Sequence, residues 1–179
     1  MSDTVIENPS EDLAEFAAEI ADQVESFVIA VREIARSSDA GSAVSLLLLE
    51  VSQLLLAGGR LGAIADIVPP EPFEPDVGPD PDIDELRRRL ATLLAPIDRY
   101  VEIFDPYESP PSATTFVISD DLASIVSDLL HGLAHFRAGR PIEALWWWQF
   151  SYVSHWGSHA GAMVRALQSV IAHDRLDVG

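Results

Sequence analysis

The sequence predicts an all-α fold: a single-domain bundle of five or six helices with a long acidic, proline-rich loop. Three observations lead there. Apolar residues recur at steps of three and four along most of the chain, glycines and prolines separate the periodic stretches, and no repeat at a fixed period is visible. At 179 residues and 48% hydrophobic content, the chain suffices for one domain with its own core. We read residues 1–179 as one helical domain, with tails at 1–10 and 174–179 and the loop at 66–84.

The first helix carries Leu13, Ala17, Ile20, Val24, Phe27, Val31 and Ile34 on one seam. Ser10 is its expected N-cap, with Glu11, Asp12 and Glu15 at the positive end of the helix dipole. The second, from about Ser42 to Ala57, is apolar on nearly every face and is expected to be the central, most buried helix, loosened or ended by Gly58, Gly59 and Gly62. Six prolines between Asp66 and Asp84 forbid a helix or a central strand there. A third helix is expected over roughly Asp82 to Ala95. Tyr100 to Ile118 reads as an ordered crossing segment containing a short strand. Ser119 is the expected cap of a fourth helix, Gly139 its stop, and Pro141 starts a fifth that breaks near Gly157 before a sixth segment.

Charge and composition exclude several functions. Asp and Glu number 29 against 11 basic residues, all arginine, for a net charge of −18. Such a surface repels phosphates, so neither nucleic acid nor an anionic membrane is an expected partner. With no lysine there is no Schiff-base chemistry and no P-loop lysine; with no cysteine there is no disulfide and no thiolate site. The N-terminus lacks the pattern of a secretory signal, and the apolar stretch from Ala43 to Ala57 falls short of a membrane span, so a cytoplasmic location is expected.

Several strings together, LLLLEVSQLLLAGG, FDPY, ISDDLASI, AGRPIEALWWWQFSY, the Trp156–Gly157 pair and RAL at 165–167, resemble the 5063 family of domains of unknown function. The resemblance spans roughly Ala14 to His173. It implies a bacterial all-α bundle and brings no activity, cofactor or catalytic residue with it.

Two histidine pairs at i, i+4 are the strongest chemical signal: His131 with His135, and His155 with His159. That spacing puts both imidazoles of a pair on one helical face, as in zinc-binding helices, and Asp128 adds a carboxylate one turn before His131. Against this, at ~100° per residue the set lies opposite the stripe of Leu122, Val126, Leu129 and Leu133, and so is expected to face solvent. Residue 132 is glycine where metalloprotease helices carry a catalytic glutamate. Asp80, Asp82 and Asp84 read as a solvated approach to a helix, and Arg87, Arg88 and Arg89 as partners of nearby acids.

The three consecutive tryptophans cannot share one helix face. Trp146 and Trp156 are expected in the core with Phe150 and Val153, while Trp147 falls outside, either under the proline-rich loop or open as an anchor for another chain. The leading functional expectation is a non-enzymatic interaction module that holds a protein partner, or a second copy of itself, through Trp147, Trp148, Tyr152 and His155, without a cofactor. The alternative is a metal-dependent enzyme built on Asp128, His131 and His135.

Overall fold

A computed structural model describes residues 9–176. In chain order it contains α1 (Pro9–Ile34), α2 (Ala40–Ala63), α3 (Asp84–Leu93), β1 (Arg99–Ile103), β2 (Ala113–Val117), α4 (Ile118–Arg137), α5 (Pro141–Ser151), a π turn (Tyr152–Trp156) and α6 (Gly157–Leu176). The fold is mostly helical, and the crossing segment is an antiparallel hairpin in which Arg99 pairs with Val117 and Ile103 with Ala113. Residues 1–8 and 177–179 of the expected tails lie outside the described residues, whereas 174–176 belong to α6.

The α1 seam is core as expected, with Ala17, Ile20, Val24, Phe27, Val31 and Ile34 buried. Ser10 lies inside the helix, which starts at Pro9, rather than at its cap. α2 stays helical through its glycines to Ala63, and Gly58 and Gly62 form a packing surface for Tyr152. A Cβ on Gly58 would lie 2.4 Å from the Tyr152 ring and 2.8 Å from that of Trp156.

α2 is not the central helix. Leu47, Val51, Leu54 and Leu61 are buried, yet Leu46, Leu49 and Leu56 form an outward stripe, with Leu56 70% exposed. At 24 residues α2 is long and apolar enough to cross a membrane by length and composition, where the interrupted run from Ala43 to Ala57 had suggested otherwise. Its inner face is nonetheless part of the bundle core. The central position belongs to α4, which packs against α1, α3 and α5 and buries residues on both its apolar and its polar side. Apolar composition alone put α2 in the centre, but α4 is surrounded because its polar side is also covered.

The start of α4 is capped from outside. Ser119 lies in its first turn, and the Asp98 carboxylate accepts from both the backbone N–H and the hydroxyl of Ser119, each at 2.8 Å. Gly139, at φ 75°, supplies the left-handed turn between α4 and α5. On α5 the buried indole is that of Trp148, not Trp146, while Phe150 and Val153 are exposed. Trp148 is seated by Gly132 and donates to the Leu129 carbonyl at 3.1 Å, which turns that side of α5 inward. Beyond Ser151 the π turn adds a residue to the turn, so a wheel drawn at a constant ~100° loses phase.

Two stability changes follow. A Cβ on Gly132 would come within 2.1 Å of Trp148 Nε1, so Gly132→Ala is expected to cost about 2–3 kcal/mol in urea denaturation through overpacking. A loss under about 0.5 kcal/mol would mean that the indole has room to re-seat. Phe27→Ala removes a buried aromatic from the α1 seam and is expected to cost about 3–5 kcal/mol by the same measurement.

Candidate metal centre

One stripe of α4 carries Asp121, Asp128, His131 and His135, which at ~100° per residue fall within a quarter turn of one another. Solvent was the expectation for this face. Instead α5, the π turn and the proline-rich loop cover it, leaving His135 fully buried and Asp121 nearly so.

At the C-terminal end of the stripe, Glu74 descends from the proline-rich loop. Its Oε1 accepts from Nε2 of His135 at 2.8 Å and from Nε2 of His131. One ligand atom from each of Glu74, His131 and His135 lies within 4.8 Å of the other two. The imidazole rings sit edge to face at 5.2 Å, and His131 packs on Trp147 at 4.2 Å. Trp147 is held in turn by an indole N–H donated to the Asp128 carbonyl at 2.9 Å. His135 Nδ1 is buried without a hydrogen-bond partner. An orphaned buried polar atom costs about 1–3 kcal/mol, so this arrangement is not the one that hydrogen bonding alone would favour.

Burial opposes ionisation of Glu74, but the hydrogen bonds from His131 and His135, with their charges, outweigh it and hold the carboxyl below its usual pKa. Asp128, the carboxylate expected beside the histidine pair, points elsewhere: its Oδ2 accepts from His155 Nδ1 at 2.5 Å. Glu74 stands in the role expected of Asp128.

The N-terminal end of the stripe forms a second polar group. His159 Nδ1 donates to Asp121 Oδ1 at 2.9 Å, and the Tyr100 hydroxyl donates to Asp121 Oδ2 at 2.8 Å. Burial, then the Asp121 charge, raises the Tyr100 pKa above the range of free tyrosine, so the phenol stays protonated. His159 is flanked by Phe104 and Phe116 at 4.9 and 5.7 Å, which ties the hairpin to the helices.

The aromatic set expected as an interaction surface is divided among different environments. Trp148 is core, Tyr152 fills the groove over Gly58 and Gly62, His155 pairs with Asp128, and Trp147 is half-buried under His131. Trp146, half-buried, lies against the proline-rich loop. Sequence reasoning missed Glu74, Asp121 and Tyr100. The seven-residue spacing of Asp121, Asp128 and His135 was a readable signal of one face, but nothing local distinguished Glu74 from its acidic neighbours.

The lowered Glu74 pKa fixes the sign of a pH effect. Its contribution to stability is complete above the ordinary glutamate value of 4.5 and is lost as pH falls through the lowered folded value. The difference in urea midpoint between the metal-free wild type and Glu74→Gln is therefore expected to shrink from neutral pH to well below 4.5. A constant difference would show that ionised Glu74 does not fasten the loop.

Among curated proteins, none matches the chain. A crystal structure of protein BF1032 from Bacteroides fragilis superposes with a TM-score of 0.62 at 22% identity, over 93% of this chain and 94% of that one; the likeness is one of fold. A family model described as a domain of unknown function matches residues 11–173, nearly the whole chain, and the protein belongs to that family, DUF5063.

Proposed function

We propose that this protein binds a divalent transition-metal ion through His131, His135 and Glu74. One observation carries the reading: two imidazoles and a carboxylate from separate segments converge within 4.8 Å around the fully buried His135. Zinc and iron(II) sites use this donor set, and three protein ligands leave further positions for water or substrate. When bound, such an ion lowers the pKa of coordinated water and polarises carbonyl oxygens. The chain's own residues hold the ligands. His131 and His135 are one turn apart on one helix, Trp147 packs on the His131 ring, and Glu74 completes the set from the proline-rich loop. The His155–Asp128 pair lies one turn further toward the N-terminus of α4, within the same polar stripe. This reading departs from the leading sequence expectation, an interaction module, because Trp148 is core, Tyr152 packs on Gly58 and His155 pairs with Asp128.

Purified protein is expected to retain or take up one zinc, iron or manganese ion per chain, measured by elemental analysis and by titration of chelator-treated protein. His131→Ala, His135→Ala and Glu74→Ala each weaken binding by at least about a hundredfold, since loss of even an outer-shell partner costs 10- to 100-fold. Asp128→Asn leaves stoichiometry unchanged, which separates this ligand set from the one drawn on sequence. Metal-free wild type that takes up no ion, or uptake unaffected by the double histidine change, overturns the reading.

A further inference from the structure

A 310 Å³ pocket lies between the proline-rich loop and the start of α5, walled by Pro69, Pro72 and Trp146 and lined by the carboxylates of Glu71, Glu74 and Glu143. Glu143 is the unusual member. It is 6% exposed, yet among the described residues its side chain makes no hydrogen bond and no ion pair. Arg140, the nearest arginine in sequence, does not pair with it. The Glu143 carboxylate oxygens are not wholly sealed from solvent, and a second carboxylate, that of the exposed Glu71, stands unpaired on the same wall.

We infer that this pocket is a binding site for an organic cation, a guanidinium or alkylammonium head group. Its charge would meet Glu143 and Glu71, and its apolar flank would rest on the Trp146 indole and the proline rings. Three features favour an organic cation over a metal ion. The three carboxylates do not converge: Glu74 groups with the histidines, and neither Glu71 nor Glu143 joins a metal-sized cluster. The walls are apolar where calcium requires six to eight oxygens. An indole face attracts a weakly hydrated cation, and a planar guanidinium both stacks on it and bonds a carboxylate in parallel. The site stands on Glu143 and Trp146 and does not depend on the metal reading, although Glu74 borders both.

The test is calorimetric titration of chelator-treated full-length protein with agmatine, and separately with a blocked Gly-Arg-Gly peptide. Saturable one-to-one binding is expected. Tighter binding of agmatine identifies a free small molecule as the source of the cation, and tighter binding of the peptide an arginine of another chain. Glu143→Gln weakens binding by at least about tenfold, the loss of one charge-assisted contact. Trp146→Leu weakens it comparably, with helicity checked by circular dichroism; Glu71→Gln carries the test if Glu143→Gln does not fold. Glu108→Gln on the hairpin controls for general acidity and should change affinity by less than about twofold. The His131→Ala, His135→Ala double variant keeps agmatine binding while losing metal, so the two proposals fail separately. Wild type without saturable binding, or equal weakening by Glu108→Gln, overturns the inference.

Discussion

A helix buried all round can carry Asp121, Asp128, His131 and His135 along one side only if each polar group finds a partner, because unpaired burial of a single such group costs as much as several good contacts return. α4 meets that demand with residues from four different segments. Tyr100 comes from the hairpin, His155 from the π turn, His159 from α6 and Glu74 from the proline-rich loop. The hydrogen bonds of this one stripe therefore fix where the non-bundle parts of the chain attach. His135 Nδ1, the ring nitrogen opposite the one that meets Glu74, is the one buried side-chain nitrogen or oxygen among the described residues left without a partner.

The indoles work with the same helix. Trp147 and Trp148 donate to consecutive carbonyls of α4, at Asp128 and Leu129, so two adjacent side chains straddle the helix backbone. Gly132 makes room for one of them and His131 packs on the other. Gln149, the next residue, reaches the opposite way. Its side chain donates to the Leu61 and Ala65 carbonyls and accepts from the Ile67 N–H, holding the end of α2 and the beginning of the proline-rich loop. The string Trp147-Trp148-Gln149 thus aligns the polar stripe with the loop that supplies Glu74.

Acid excess has a local meaning on this background. Arginines on α2, α3 and α4 pair with carboxylates: Arg60 with Glu19, Arg87 with Asp120 and Arg137 with Glu25. Between Asp66 and Asp82 the loop's acids have no arginine partner among the described residues, and Glu74 is held by histidines alone. An unneutralised negative field is thereby focused at the junction of the loop and α5, beside both the histidine pair and Glu143. A metal ion at one side and an organic cation at the other would each relieve part of that repulsion, and through Glu74 the two would sense each other.

Much of this architecture was legible in the sequence, and the limit of legibility has a physical cause. Helical periodicity revealed the α1 seam, the number and approximate extents of the helices, and the exclusion of regular structure from the proline-rich loop, because each is decided within a few residues by side-chain spacing and backbone restriction. The same spacing correctly put His131 and His135 on one face. It could not tell that this face is covered, that Trp148 rather than Trp146 enters the core, or that Asp128 turns to His155 while Glu74 takes the place expected of it. Those outcomes depend on contacts across 19 residues for the Trp148 indole, 27 for the Asp128–His155 pair and 61 for Glu74 with His135. A wheel of one helix records which residues share a side; burial is a property of what other segments bring to that side. The sequence by itself determined the helices and their faces, and only tertiary packing decided that the polar face of α4 would be enclosed, since enclosure requires partners the local pattern does not contain.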